Sequence, residues 1–238
     1  MNLNRFKSIV ILTGAGVSAE SGIRTFRDAN GLWENHRIED VATPEAFARN
    51  PGLVHEFYNQ RRRQLHDPMV RPNGAHLALA KLEEEWEGDF LLVTQNVDDL
   101  HERAGSRRIL HMHGSLIHAL CLSCSERFEW RTDLSVHEAC PKCQATGKLR
   151  PDIVWFGEMP YHMDPILDAL NRCELFVSIG TSGVVYPAAG FAREAWNAKR
   201  VEINLQETDI SLLFHERRIG PAGVEVPKFV DELLLHRS

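Results

Sequence analysis

A strand, a glycine turn and a helix start stand at the head of this chain, and together they restrict its fold more than any other feature. Ser8-Ile9-Val10-Ile11-Leu12-Thr13 is an apolar, β-branched run, and Gly14-Ala15-Gly16-Val17-Ser18-Ala19 follows at once and opens a helical pattern. Glycine at such a turn lets a ligand approach the backbone closely, while the helix N-terminus offers unpaired N–H groups and a positive dipole end to an anion. Gly14, Gly16 and Ala19 fit the loose dinucleotide fingerprint, with alanine at its third position. The sequel departs from the usual layout. No second strand ending in an acid follows; Thr25-Phe26-Arg27 and the polar loop Asp28-Ala29-Asn30-Gly31 occupy its place. The turn therefore predicts a dinucleotide site, and the sequel predicts chemistry other than hydride transfer.

Further along, residues 28–72 carry loop and helical patterns with no convincing strand. Thr43 caps a short helix that has Pro44 at its first position, Pro51 starts another, and Asn73 caps a third with Leu77, Leu79, Ala80 and Leu82 on its apolar side. From Phe90 the pattern alternates: strand 90–94, helix 98–104, strand 109–113, then strand 152–156, helix 164–172, strand 174–179, helix 187–198, strand 200–204 and a final helix 227–235. Leu175-Phe176-Val177-Ser178-Ile179 is apolar almost throughout, as expected where helices cover both faces of a parallel sheet. The predicted class is an α/β fold, a Rossmann-like parallel sheet with helices on both faces. Six unusual motifs fall just past predicted strands: Gly14-Ala15-Gly16, Gln95-Asn96-Val97-Asp98, His113-Gly114, Phe156-Gly157-Glu158, Gly180-Thr181-Ser182 and Asn204-Leu205-Gln206. In an open α/β sheet those ends share one edge, where ligands bind.

Residues 119–148 interrupt the alternation. Cys121-x-x-Cys124 and Cys140-x-x-Cys143, with fifteen residues between the pairs, have the spacing of a four-thiolate zinc ribbon. Four thiolates fill the coordination shell and leave no position for water, which makes the ion structural. The rival readings are a catalytic zinc, a redox pair or a nucleic-acid knuckle. A net charge of −6 weighs against the last, because nonspecific nucleic-acid binding needs a basic face, and Arg61-Arg62-Arg63 is too short to supply one. Cys173, at a helix–strand junction, reads as a small core residue. Apolar content of 43% and charged content of 25% are ordinary for a soluble domain, and no run approaches the ~20 residues that span a bilayer. The short N-terminal lead into the first strand leaves no room for a signal peptide, so a cytoplasmic protein is expected, where paired cysteines hold metal rather than form disulfides.

Among twelve histidines, His113 stands apart because it ends a predicted strand at the ligand edge, although a histidine there often only bonds backbone. His111 lies one step back toward the core, and His101 reads as a packing or hydrogen-bonding residue. Asp98 is by default a helix N-cap, a role compatible with ligand binding. Asn204 has the donors and acceptors to bond a ribose diol in place of the missing acid. Tyr58 and Arg61 are i,i+3 neighbours on one helix face, ordinarily a surface pair.

Taken together, Gly14 through Arg27, Thr94-Gln95-Asn96-Val97-Asp98 with Leu100-His101, His113-Gly114, the two cysteine pairs, Phe156-Gly157-Glu158, Gly180-Thr181-Ser182 and Asn204 resemble the sirtuins over essentially the whole chain, and the compact length resembles a bacterial member. The resemblance implies NAD-dependent removal of acyl groups from protein lysines. It implies one catalytic domain over 1–238, in which the 28–72 helical insert and the 119–148 zinc ribbon form a small domain beside a Rossmann-like large one. It assigns NAD to Gly14, Ala15, Gly16, Ser18, Ala19, Glu20, Thr25, Phe26, Arg27, Trp33, Gln95, Asn96, Asp98, Gly180, Thr181, Ser182, Asn204, Leu205, Gln206 and Ala222. Acyl-lysine falls to Ala42, Tyr58, Arg61, Val154, Phe156 and Gly157, catalysis to His113 and Asn96, and one structural Zn2+ to Cys121, Cys124, Cys140 and Cys143. Phe26 would shield the anomeric carbon after nicotinamide leaves, and His113 would act as general base on a ribose hydroxyl. The products would be free lysine, nicotinamide and O-acyl-ADP-ribose.

Tyr58-x-x-Arg61, with the small residue Ala42, resembles the subgroup that removes succinyl, malonyl and related acidic acyl groups, in which guanidinium and phenol grip a distal carboxylate. The same pair is compatible with deacetylation, so dual activity is expected. Asp28 stands where small residues are common. The expected partners are NAD and acylated protein lysines, with no nucleic acid, no membrane and a monomeric state. Other readings are an NAD-dependent protein ADP-ribosyltransferase, a non-hydrolytic NAD or ADP-ribose-binding module, and a dehydrogenase, for which the acid after a second strand is missing.

Overall fold

Side chains alternate across a strand, so the unbroken apolar run Ile9–Leu12 is stable only where both faces of its sheet are covered. The computed structural model, which describes residues 6–23, 32–33 and 36–235, covers both. Its main sheet contains, in spatial order, β11 (Glu216–Ile219), β10 (Lys199–Asn204), β9 (Leu175–Ile179), β1 (Ser8–Thr13), β4 (Asp89–Thr94) and β5 (Ile109–His111), every neighbouring pair parallel. Ile9, Ile11, Val177 and Ile203 face α5 (Gly74–Glu85) and α9 (Ala222–Leu235), where Leu79, Leu82, Phe229 and Val230 complete one core layer. Val10, Leu12, Val93 and Phe176 face α7 (Met163–Arg172) and α8 (Phe191–Glu194) in a second layer. The predicted α/β class is the class observed.

From β1 the chain builds outward through β4 and β5, and from β9 it builds the other way through β10 and β11. The order thus reverses between β1 and β9. The loops leaving two such strands diverge and open a crevice at their carboxyl ends.

A second body of structure lies beyond β5. An antiparallel sheet has the order β7 (Arg127–Glu129), β6 (Gly114–Cys121), β8 (Leu149–Ile153). Against it pack α2 (Ile38–Val41), α3 (Pro44–Arg49) and α4 (Pro51–Leu65), with Phe47, Val54, Phe57 and Tyr58 meeting Leu116, Ile117, Ile153 and Trp155 in one buried cluster. The predicted caps hold: Thr43 Oγ1 accepts from the Ala46 N–H at 3.0 Å, and Asn73 Oδ1 accepts from the Ala75 N–H at 2.9 Å. Pro44 and Pro51 each stand in a first turn, where a missing N–H costs nothing.

Several expectations require correction. Strand 152–156 is not in the parallel sheet; its residues fall in β8 and the turn after it, paired antiparallel with β6. A short apolar run carries no signal of which sheet will bury it, so Phe156-Gly157-Glu158 reaches the site from a different sheet. The first parallel edge strand stops at His111, which leaves His113 in the turn before β6. Helix 98–104 starts only at Leu100. Region 28–72 contains a short hairpin of β2 (Leu32–Trp33) and β3 (His36–Arg37). The 187–198 helix is a 3-10 turn, Ala188–Gly190, followed by the four-residue α8. The last helix starts at Ala222 rather than at Pro227, which sits inside it. Strand β11, Glu216-Arg217-Arg218-Ile219, escaped the sequence reading because an edge strand can carry charge where a central strand cannot.

The basic triplet separates into three environments. Arg63 is exposed and paired with Asp133 at 2.6 Å, and Arg61 faces a cleft described below. Arg62 is almost fully buried and donates to the Leu116 carbonyl at 2.8 Å and to Asn59 Oδ1 at 2.7 Å. Asn59 in turn bonds both the carbonyl and the N–H of Leu134 (3.0 and 2.8 Å), so one buried amide ties α4 to the cysteine-bearing segment. Replacing Asn59 with Ala strands these groups at ~1–3 kcal/mol each when buried. Denaturant unfolding of Asn59→Ala is expected to show a loss of about 3 kcal/mol, while Gln60→Ala, on the exposed face, changes stability by less than about 0.5 kcal/mol.

Candidate active site

Each loop leaving the carboxyl edge of the parallel sheet is stitched to its neighbour. The Gly14 N–H donates to the Ile179 carbonyl at 2.9 Å, the Gly16 N–H to the Gly180 carbonyl at 2.8 Å, and the Gly180 N–H to the Ile203 carbonyl at 2.9 Å. The two glycine loops touch at the switch point. A Cβ on Gly16 would stand 2.7 Å from Gly180 Cα, and one on Gly180, whose φ is +62°, only 2.6 Å from the Val17 nitrogen. No other residue type fits either position.

Above these loops opens a cleft of about 830 Å³. It brings together nearly every residue that the sequence nominated. Gly14, Ala15, Gly16, Ser18, Ala19 and Glu20 line it from the β1 loop and α1 (Ala15–Ala19); Gln95, Asn96 and Asp98 from the β4 loop; Gly180, Thr181 and Ser182 from the β9 loop. Asn204, Leu205, Gln206 and Ala222 close one end, and Ala42, Tyr58, Arg61, Val154, Phe156 and Gly157 close the other, with His113 on the same wall. Thr25, Phe26 and Arg27, together with Asp28, lie outside the described residues; Trp33 is placed in β2 by its backbone, and its side chain lies outside them. The sequence reading missed Val184 and Tyr186, exposed apolar groups after the β9 loop, and Gly220-Pro221 after β11. The Gly-Pro pair was the available signal, hidden because the strand before it went unread.

A buried polar network underlies the cleft. Ser18 Oγ donates to Asp98 Oδ2 at 3.0 Å and accepts from Asn96 Nδ2 at 3.0 Å. The N-cap of α6 (Leu100–Ala104) is Asp99 rather than Asp98; Asp98 Oδ1 accepts from the Leu100 N–H at 3.1 Å and so anchors the helix start from one residue further out, while its other oxygen holds Ser18. Beneath them Thr13 Oγ1 donates to Thr94 Oγ1 at 2.9 Å, and Thr94 Oγ1 also accepts from the Asn96 N–H at 3.0 Å. With the Thr13 hydrogen so used, His101 Nε2–H is the donor in its 3.1 Å contact to Thr13. His101 is thus the packed, hydrogen-bonded residue expected, and burial beside His76 keeps it neutral, well below the ordinary histidine range. Burial raises the Asp98 carboxyl to about 6, against the hydrogen bonds from Leu100 and Ser18.

The histidines that end β5 and stand in the turn after it have different partners. His111 is bound between Glu102 Oε1 at 2.5 Å and the Asn96 carbonyl at 3.1 Å, and although burial works against its charge, Glu102 raises its pKa. His113 has one backbone partner, the Gln95 carbonyl, 3.1 Å from Nδ1. A carbonyl only accepts, so Nδ1 carries the proton and Nε2 keeps its lone pair. Burial lowers the His113 pKa, which leaves Nε2 unprotonated at neutral pH. Such a nitrogen on a cleft wall can accept a proton from a bound hydroxyl.

At the end of the cleft opposite Asn204, Ala42, Tyr58 and Arg61 meet the segment after β8. The Phe156 N–H donates to the Ala42 carbonyl at 3.0 Å, and the Val154 N–H to the His113 carbonyl at 2.9 Å. Tyr58 is fully buried in α4, and Arg61 donates through Nη1 to the Phe57 carbonyl at 2.5 Å. Rather than the surface pair that such spacing ordinarily makes, they are interior groups.

The four cysteines converge away from the cleft. Their Sγ atoms all lie within 4.8 Å of one another, with Cys121–Cys143 and Cys124–Cys140 at 3.7 Å. A tetrahedron of thiolates ~2.3 Å from Zn2+ has edges of about 3.8 Å, so the cluster fits that ion and is too open for disulfides. No cysteine lines the cleft, which accords with a structural ion and not a catalytic one.

A family model described as the Sir2 family matches residues 14–187. A protein of Bdellovibrio bacteriovorus described as an NAD-dependent protein deacylase is 65% identical over 234 residues, covering 98% of this chain and 100% of its own length. A protein of Salmonella typhimurium with the same description is 58% identical over 228 residues, covering 95% of this chain and 84% of its own length. Among solved structures, a Sir2 homologue in complex with NAD is similar with a TM-score of 0.89 at 40% identity, covering 100% of this chain and 93% of that one. Sir2 bound to acetylated peptide is similar with a TM-score of 0.82 at 28% identity, covering 97% and 95%.

Elemental analysis is expected to find one zinc per chain. Its removal by a strong chelator should lower the Tm and open the 122–148 segment to protease, since thiolate ligation contributes directly to the folding of such hairpins. A metal-free protein with unchanged Tm and unchanged protease resistance would contradict the structural assignment.

Proposed function

The chain belongs to the Sir2 family, and from that premise we propose that it is an NAD-dependent protein-lysine deacylase that removes both acetyl groups and acidic acyl groups of the succinyl and malonyl kind. One observation carries this reading: a single cleft joins a glycine-built switch point, an unprotonated His113 and a buried Tyr58/Arg61 pair.

Within this proposal the β1 and β9 loops hold the phosphates of NAD, Asn204 faces its ribose, and Asn96 and Asp98 hold the nicotinamide end. NAD supplies an ADP-ribosyl electrophile whose leaving group is nicotinamide. The Ser18-centred network fixes Asn96 and Asp98 before NAD arrives, so their orientation need not be organised on binding. His113 Nε2 takes the proton of a ribose hydroxyl, and the Gln95 carbonyl keeps the imidazole in the tautomer that can do so. Protonation of Nε2 removes the base, so activity declines as pH falls through the lowered His113 pKa. The 28–72 and 119–148 segments form a small domain in this reading, supported by the bonds of Asn59 and Arg63 on α4 to Leu134 and Asp133.

Arg61 supplies charge for an acyl carboxylate, and Tyr58 a phenolic donor. The acyl-lysine lies along Val154, Phe156 and Gly157, with Ala42 leaving room for the longer chains. We further read the protein as a cytoplasmic monomer without nucleic-acid or membrane partners. Its support is the gathering of four cysteines as a metal cluster and not as disulfides; among the described residues, no helix is long and apolar enough to cross a membrane.

The test is mass spectrometry of acetyl- and succinyl-lysine peptides with NAD. The wild type should remove both groups, and Arg61→Met should lose about 100-fold on the succinyl peptide against a few-fold on the acetyl peptide, a difference of about 2–3 kcal/mol in keeping with one charge-assisted contact. Equal losses on both peptides would remove the carboxylate grip.

A further inference from the structure

We propose that Trp155 is a specificity-positioning residue: its indole N–H fixes the direction of the Tyr58 hydroxyl, and through it the preference of the cleft for acyl chains that end in a carboxylate. The inference rests on the role given above to Tyr58 and Arg61.

Trp155 Nε1 stands 3.0 Å from the Tyr58 hydroxyl oxygen, and both residues are buried. An indole nitrogen can only donate. The phenol therefore accepts in this bond, and its own hydrogen is directed away from the indole to serve another acceptor. Burial raises the Tyr58 pKa, so the phenol keeps that hydrogen across the neutral range. The Tyr58 ring meets the Phe57 ring edge-on, with centroids 5.0 Å apart and planes at 84°, which limits its swing. A phenol free to rotate can turn an oxygen lone pair toward a carboxylate, whereas one that accepts the indole N–H turns its proton to the side away from the indole.

The indole is itself held from several directions. Its backbone N–H donates to Glu158 Oε2 at 2.8 Å. Glu158 is gripped by both arms of the buried Arg150 guanidinium, at 2.6 and 2.9 Å, and that guanidinium lies 3.4 Å from the centroid of the indole ring. A third Arg150 bond, 2.5 Å to the Ile153 carbonyl, ties the assembly to the end of β8, while the Phe47 ring packs against the indole with centroids 5.4 Å apart. Phenylalanine would fill the same wall. The feature it lacks is the N–H, and the rigid clamp aims that N–H at Tyr58.

Trp155→Phe and Tyr58→Phe, singly and together, test the inference. In Trp155→Phe the ratio of succinyl to acetyl kcat/KM is expected to fall about tenfold, through a raised KM for the succinyl peptide at nearly constant kcat. In the Tyr58→Phe background the same substitution should leave that ratio unchanged. A KM rise shared equally by both peptides, or a fall of the same size in the Tyr58→Phe background, would overturn the proposal, because either marks a general packing loss. The indole N–H resonance that disappears in Trp155→Phe should shift in Tyr58→Phe; an unmoved resonance also overturns it. If Arg61→Met proves equally damaging to both peptides while that resonance does shift, the carboxylate reading has failed and the specificity role falls with it, but the hydrogen bond stands.

Discussion

Two backbone turns meet at a distance that only glycine permits, and the architecture of the site depends on that meeting. Gly16 and Gly180 lie where the sheet order reverses, and each is so close to the other's backbone that a single added carbon would collide. The close approach allows the β1 and β9 loops to hydrogen-bond directly, and both loops line the floor of the cleft. The buried polar network of the β4 loop is built beside that floor. Ser18, in the short helix that leaves it, joins Asn96 to Asp98, and the buried threonines and His101 support the loop carrying both.

The other end of the cleft depends on a second set of ties, from the segment after β8 to the helices and to the β5–β6 turn. Val154 bonds the backbone of His113, Phe156 bonds that of Ala42, and Trp155 bonds the phenol of Tyr58, so three consecutive residues join the proposed base, the cleft wall and the proposed specificity pair. Arg150 and Glu158 stiffen that segment from behind. Buried polar groups of this kind are costly unless fully paired and orienting when they are.

Legibility in the sequence followed the physics of each element. The central strands could be read because apolar residues on both faces have one explanation, and the cysteine pairs because four thiolates at that spacing have few. Caps such as Thr43 and Asn73 were visible because their chemistry is local. The fate of 149–153 was not, since a short buried strand reads alike in a parallel or an antiparallel sheet, and β11 was hidden by the charges an edge strand tolerates. Tyr58 and Arg61 stood out only by resemblance; their burial is a tertiary fact that i,i+3 spacing cannot contain. Trp155 gave no signal at all, because the partner of its N–H lies 97 residues away.

In the proposed reaction the cleft uses NAD as an electrophile to be cut and delivers the acyl group to ADP-ribose. A mass balance tests it most directly, with NAD, nicotinamide, peptide and ADP-ribose products followed in one reaction. One nicotinamide and one O-acyl-ADP-ribose are expected for every deacylated lysine, with both yields lost in His113→Ala. A peptide that gains the mass of ADP-ribose while keeping its acyl group, or NAD recovered as its reduced form, would contradict the account.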